Sequence, residues 1–201
     1  EVLEGVDVLI NLAGRTVDCR YNDENKRQIL DSRVNSTKVL GDAVAVCVSP
    51  PSVWMNASTA TIYAATKEKA QTESEGVIGD GFSVEIAKTW EAAFNAAVVD
   101  ESVRKITLRT TLVMGDEKGT VLDVLSGLAR KYLGGKMGDG SQMVSWIDIN
   151  DVCRVVEWMI ANEAASGAYN LAAPEALTNA EMMKRIRERA GVRFGLPASE
   201  W

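Results

Sequence analysis

The sequence predicts an α/β fold, a doubly wound parallel sheet with helices between its strands. Three observations carry that expectation. Five short runs rich in apolar and β-branched residues have the composition of strands covered on both faces: "VDVLIN" (6–11), "SVWMNA" (52–57), "KITLRTTLV" (105–113), "MVSWI" (143–147) and "AYNLAA" (168–173). The stretches between them carry helical periodicity, so strand and helix alternate along the chain. Finally, 201 residues with 46% apolar and 25% charged side chains suit one compact unit with a core of its own.

After the first strand, Asp23 and Glu24 give an acidic first turn that suits the helix dipole, and Ile29, Leu30, Val34, Leu40 and Val44 fall mostly on one face. A helix is expected from Asn22 onward. The second strand leads into "KEKAQTESEGVIGDG" (67–81), a polar, glycine-containing stretch that reads as a long surface loop. A second helix is predicted from Phe82, with Trp90, Phe94 and Val98 spaced by four. Others are expected at Val121–Leu133, Val152–Ile160 and Thr178–Ala190, the last opened by the capping box Thr178-x-x-Glu181 and closed by Gly191. No internal repeat or low-complexity tract interrupts the pattern.

Composition narrows the function. A net charge of −6 and 22 scattered basic residues do not supply the concentrated cationic face that nucleic acid demands. No apolar run has the length to span a bilayer, and "EVLEGVDVLI" lacks the basic start and cleavage site of a signal peptide, so a cytoplasmic protein is expected. Cys19, Cys47 and Cys153 are odd in number and far apart, which suggests neither a disulfide framework nor a metal site. With no histidine, acid–base chemistry falls to Tyr, Lys, Asp, Glu or a hydroxyl. The expected partner is a small molecule, with no nucleic acid and no membrane, and a homodimer is left open.

In sheets of this kind ligands bind beyond the carboxyl ends of the strands. Here those ends read "NLAG" (11–14), "NAST" (56–59) and "RTTLVMG" (109–115). Such small, polar residues let a cofactor lie against the backbone, and they equally serve tight turns from strand to helix. The G-x-G-x-x-G phosphate turn does not occur ahead of "VDVLINLAG", and the chain is read as starting mid-fold. "GGKMGDG" (134–140) follows a helix and precedes a strand, so it reads as a substrate-side loop or a plain flexible connection, not a phosphate cradle. Tyr63 and Lys67, in "IYAATKEK", have the spacing of a Tyr-x-x-x-Lys catalytic pair, yet they would have to open a helix without a cap at a strand end.

"VDVLINLAG", "DENKRQILDSRVNSTKVL", "NASTATIYA", "WEAA", "ITLRTTLVMG", "LGGKMGDGSQMVSWIDINDV" and "GAYNLAAPEALTNAEMM" together resemble the atypical short-chain dehydrogenase/reductases of the sugar-nucleotide-epimerase-like, or cell-division-inhibitor-like, family. The match spans nearly the whole chain in the right order. The resemblance implies a Rossmann-type domain that binds NADP or NAD. Residues 1–115 would be the remainder of that domain, without its first strands. Residues 116–201 would complete the sheet and begin a small C-terminal substrate-side domain. Cofactor contacts are expected from Asn11, Leu12, Ala13, Gly14, Arg33, Ala57, Ser58, Lys88, Arg109, Thr110 and Thr111, and Thr59, Tyr63 and Lys88 are the catalytic candidates.

Carried across at the epimerases' spacing, the helix "FSVEIAKTWEAA" puts the catalytic lysine at Lys88 and leaves Val84 where its tyrosine should stand. The tyrosine matching Tyr63 is not the catalytic one in those enzymes, so the Tyr63–Lys67 spacing reads as coincidence. Other departures are Asp148 in place of a common histidine and Tyr21 in place of a usual tryptophan. Arg20, Arg27 and Arg33 flank or line the first helix, and an arginine there either reaches a phosphate or covers apolar surface with its stem. Trp90 reads as core and Asp151 as a helix cap. Two function classes stay open: a nicotinamide-dependent oxidoreductase or epimerase-like enzyme, and a nucleotide-binding sensor or interaction protein without turnover. Were proton chemistry retained, Tyr63 would be the nearest phenol, and a phenol needs a close cation to act at neutral pH.

Overall fold

The computed structural model describes residues 2–199. Where the length suggests one compact unit, the chain divides into two. The first comprises the chain up to Ala65, Gln71–Thr110 and Val156–Asn170; the second comprises Thr66–Ala70, Thr111–Val155 and the chain from Leu171 on. Among the described residues, no helix is long and apolar enough to cross a membrane.

The first unit holds the expected parallel sheet. Strand β1 (Val8–Asn11) pairs in parallel with β2 (Val53–Thr59), with Asn11 beside Asn56. Strand β2 pairs in parallel with β3 (Arg104–Thr110), from Val53 beside Arg104 to Thr59 beside Thr110. The order is β1-β2-β3-β7, with β7 at Gly167–Leu171. Val53, Trp54, Met55 and Ile106 are wholly buried, which explains why the central strands read as continuous apolar runs.

Helix α1 (Asp23–Ala45) begins where Asn22 caps it, its side chain accepting from the Asn25 N–H at 2.8 Å. Its inner face buries Ile29, Thr37, Gly41 and Val44. Gly41 is required by close packing, since a Cβ there would lie 2.9 Å from the Ala97 Cβ. Helix α2 (Phe82–Ala96) buries Val84, Ala87, Trp90, Glu91 and Phe94 on its inner side, and Phe94 meets Trp54 edge-on at 4.7 Å. The expected extension to Val98 fails. The chain turns extended at Ala97, and Val98 is exposed.

Two expected strands break. The run 105–113 splits because the Thr111 N–H and hydroxyl both donate to the Leu171 carbonyl, at 3.2 and 2.7 Å, taking Thr111 out of the ladder. Beyond it β4 (Leu112–Met114) pairs in parallel with a later strand, β6 (Trp146–Asp148), as a separate ribbon. The run 143–147 divides at Ser145, whose carbonyl accepts from Leu112 N–H. Its first part, β5 (Met143–Val144), pairs antiparallel with β8 (Leu177–Thr178).

In the second unit α3 (Val121–Arg130) stops short of Leu133. Tyr132 takes a positive φ of 61°, and the Leu133 N–H turns back to the Leu128 carbonyl. Helix α4 (Ile149–Ala161) starts earlier than expected. Asp148 accepts from the Asn150 N–H at its start, while Asp151, expected as the cap, ion-pairs with Arg154. Helix α5 (Asn179–Arg189) has the predicted capping box, with both reciprocal bonds between Thr178 and Glu181. Met114, Ala129, Leu177, Met182, Met183 and Ile186 form this unit's core. The glycines of 134–140 pack on the segment near Ala198: Gly135 and Gly138 donate to the Leu196 and Ala198 carbonyls.

Candidate functional site

The carboxyl ends of β1 and β2 are pinned by buried amides. Asn11, 3% exposed, donates to the Asn56 Oδ1 at 2.7 Å and to the Thr37 hydroxyl at 3.3 Å, and its own Oδ1 accepts from the Ala13 N–H. The Trp90 indole N–H donates to Thr37 at 2.9 Å. This cluster joins β1, β2, α1 and α2, and satisfies polar groups that burial would otherwise penalise. Immediately past the pinned Asn11, Leu12, Ala13 and Gly14 are exposed. A Cβ on Gly14 would lie 3.1 Å from the Arg33 Cζ, so the glycine lets this segment rest on the guanidinium.

Arg33 is a half-buried cation. Its Nη1 donates to the carbonyls of Arg15 and Ile29, and the guanidinium lies 5.3 Å from the centre of the Trp90 ring. Desolvation pushes its pKa down, opposed by Tyr21, and no carboxylate is among these partners.

A second network holds the ends of β2 and β3. Arg109 makes a forked contact to Glu91, Nε at 2.9 Å and Nη2 at 2.8 Å, with the two side chains only 12% and 11% exposed. The Ser58 hydroxyl donates to Glu91 at 2.6 Å. The remaining Arg109 Nη1 donates to the Tyr63 oxygen at 2.6 Å, and Tyr63 donates onward to Asn170 Oδ1 at 2.9 Å. Asn170 in turn donates to the Gln71 carbonyl. The Glu91 hydrogen bond holds the Arg109 pKa above its ordinary value, with burial working against it. A side chain at Gly76 would strike the Tyr63 ring, so that glycine lets the loop close over it.

Beyond the carboxyl ends of β1 and β2 opens a cleft of about 550 Å³. Tyr21, Thr61, Tyr63, Ile78, Asp80, Phe82 and Val84 are among the residues that line it. Tyr21 and Phe82 meet edge-on at 5.3 Å, and the Thr61 hydroxyl bonds Thr59 at 2.8 Å.

The structure therefore brings Asn11, Ser58, Arg109 and Tyr63 into buried or half-buried networks, with Ala57 between the pinned Asn56 and Ser58, and sets Thr59 beside the cleft-lining Thr61. Lys88 is exposed and paired with Glu85 at 2.8 Å. Thr110 bonds back to the Leu108 carbonyl, and Thr111 belongs to the second unit. Residues 63–67 are not helical, and Lys67 donates to Ser141. Sequence reasoning missed Thr37, Asn56, Glu91 and Asn170. Glu91 carried a readable signal: with Val84, Ala87 and Phe94 it completes the apolar stripe of α2, an unusual place for a carboxylate.

A parallel sheet whose cleft opens at the carboxyl ends of its strands defines a nucleotide-type α/β domain. The chain belongs to the NAD dependent epimerase/dehydratase family, whose sequence profile matches residues 1–172. It is 33% identical over 174 residues to an epimerase family protein of Staphylococcus aureus (strain N315), across 87% of this chain and 57% of that relative's length. Its structure is similar to that of human epimerase family protein SDR39U1 (isoform 2), solved with NADPH, at a TM-score of 0.89 and 27% identity, covering 98% of this chain and 67% of that one. It is also similar to the nucleoside-diphosphate sugar epimerase from Corynebacterium glutamicum, at a TM-score of 0.77 and 31% identity over 98% of this chain and 42% of that one.

Proposed function

We propose that the protein is an atypical, epimerase-like short-chain dehydrogenase/reductase that binds NADP or NAD across the carboxyl ends of β1, β2 and β3 and turns over slowly. One observation carries the reading: the cleft wall has an aliphatic side chain, Val84, one turn before Lys88, while the nearby Tyr63 hydroxyl is already hydrogen-bonded by Arg109 and Asn170. The residues present fit a dinucleotide. Leu12, Ala13 and Gly14 form an exposed strip on which a flat cofactor can lie, and Arg33 is a desolvated cation that a phosphate would compensate. Family membership and the NADPH of the human relative support the same cofactor.

When bound, the cofactor supplies hydride transfer. The chain's own residues do the rest. Asn11 fixes the strip 12–14, and Arg33, packed beneath Gly14, would meet a phosphate. Lys88, whose pair with Glu85 is exposed, would hold ribose hydroxyls, and the Thr59–Thr61 hydroxyl pair would orient a carbonyl oxygen. Val84 stands at the usual tyrosine position and cannot move a proton, and the Tyr63 hydroxyl is held by Arg109 and Asn170, which is why turnover is slow. The same observation favours a second reading, a nucleotide-binding sensor or interaction protein with no turnover. Titration of the full-length protein with NADPH and NADH should give a dissociation constant on the order of micromolar for at least one. No binding of either at roughly millimolar cofactor would overturn both readings.

A further inference from the structure

We infer that Asn170 is a positioning residue of the cleft beyond β1 and β2: it latches residues 71–80 as a strap over Tyr63, and the cleft's occupant leaves only when the strap opens. The inference rests on reading this cleft as the ligand site. Ile78, Gly79 and Asp80 stand on the cleft wall with Tyr63, Ala64 and Ala65, so the wall is built jointly by the strap and by the chain leaving β2. The two segments run antiparallel, with Tyr63 bridged to Ile78. The Ala64 N–H donates to the Val77 carbonyl at 2.8 Å, and the Gly79 N–H donates to the Ile62 carbonyl at 2.9 Å. Two glycines permit the approach. A Cβ at Gly76 would strike the Tyr63 ring, and one at Gly79 would lie 3.1 Å from the Ala64 nitrogen and from the Tyr63 carbonyl oxygen.

Asn170, near the end of β7, ties this strap to the sheet. Its Oδ1 accepts from the Tyr63 hydroxyl at 2.9 Å, its Nδ2 donates to the Gln71 carbonyl at 3.2 Å, and its backbone N–H donates to the Glu73 carboxylate at 2.7 Å. One residue thus fixes both the phenol and the strap that covers it. Gln71 completes the latch: its Nε2 donates to the Ala64 carbonyl at 3.2 Å, and its Oε1 accepts from the Val77 N–H at 2.8 Å. Apolar burial adds little, since Val77 and Ile78 are 62% and 45% exposed. A surface segment held by hydrogen bonds opens at a lower free energy than the buried strands beside it. The cleft has its Ile78–Asp80 wall only with the strap down, so an occupant favours closure, and its release waits for opening.

Amide hydrogen exchange and cofactor release, both on full-length protein, test the latch. NADPH should slow exchange of the Ala64 and Gly79 N–H groups, which join the strap to the chain leaving β2. Asn170→Asp can still accept from Tyr63 but turns an oxygen toward the Gln71 carbonyl in place of the donor, and Gln71→Ala removes the second side-chain tie without touching β7. Each should speed exchange of those two amides about tenfold, the ratio set by one net hydrogen bond, with the Met55 and Ile106 amides of the buried strands unchanged. NADPH dissociation, followed by stopped-flow displacement, should quicken by the same factor. Should Asn170→Asp open the whole sheet, Gln71→Ala decides. Strap amides that exchange alike with and without the substitutions, or a loosened strap with unaltered NADPH release, would overturn the inference. Failure of the unsubstituted protein to bind NADPH would instead overturn the cofactor reading, and the exchange rates of the variants would then decide the latch by themselves.

Discussion

Glu91 and Lys88 stand three residues apart on α2 and have opposite fates. Glu91 is 8% exposed, accepts from Ser58 and twice from Arg109, and through Arg109 fixes Tyr63. Lys88 is exposed and ion-paired with its helical neighbour Glu85. The difference teaches where the chain has invested its charge. Burial with full hydrogen bonding turns a carboxylate into fixed architecture, whereas a surface pair worth little can be broken by a ligand.

The most forceful way to break this comparison is Glu91→Gln. It leaves the Arg109 guanidinium buried without its counter-charge, and chemical denaturation should show a loss of about 3–5 kcal/mol. A loss under about 1 kcal/mol would put Glu91 in the same class as an exposed pair. Lys88→Ala should leave stability nearly unchanged but weaken cofactor binding by on the order of 1–3 kcal/mol, the value of a lost hydrogen bond to a charged group. If calorimetry finds full affinity in that variant, Lys88 is only a solvated helix lysine. Tyr63→Phe removes one acceptor and one donor from the second network and should cost about 1–2 kcal/mol of stability. Lys67→Ala sharpens the contrast from the other side. Its bond to Ser141 is exposed, and both stability and cofactor affinity should stay within about 0.5 kcal/mol.

Much of this contrast was open to sequence reading, and the rest was hidden for identifiable reasons. The order of strands and helices, the Asn22 and Thr178 starts and the Gly191 stop follow from local periodicity and capping chemistry, which act over a few residues. The split at Thr111 was not readable, because it depends on a carbonyl sixty residues away at Leu171. The division at Ser145 fails for the same reason: each half answers to a different distant strand. At the site, small and hydroxylated strand ends marked the region around "NLAG" and "NAST". They did not reveal that Ser58 and Arg109 face Glu91, since an Arg at a strand end reads equally well as a free phosphate ligand. The bond from Tyr63 to Asn170 joins residues 107 apart, and no local pattern announces it.

The most direct test is the steady-state rate of NADPH oxidation by full-length protein against a panel of quinones, aldehydes and sugar nucleotides, measured beside folded Tyr63→Phe. The phenol is the one group whose removal separates an engaged structural hydroxyl from a proton donor. The account predicts a slow rate, below about 1 s⁻¹, that persists within about twofold when the hydroxyl is removed. A rate near the ordinary enzymatic range of about 10 s⁻¹ that collapses in Tyr63→Phe, with the variant still folded and still binding NADPH, would contradict it.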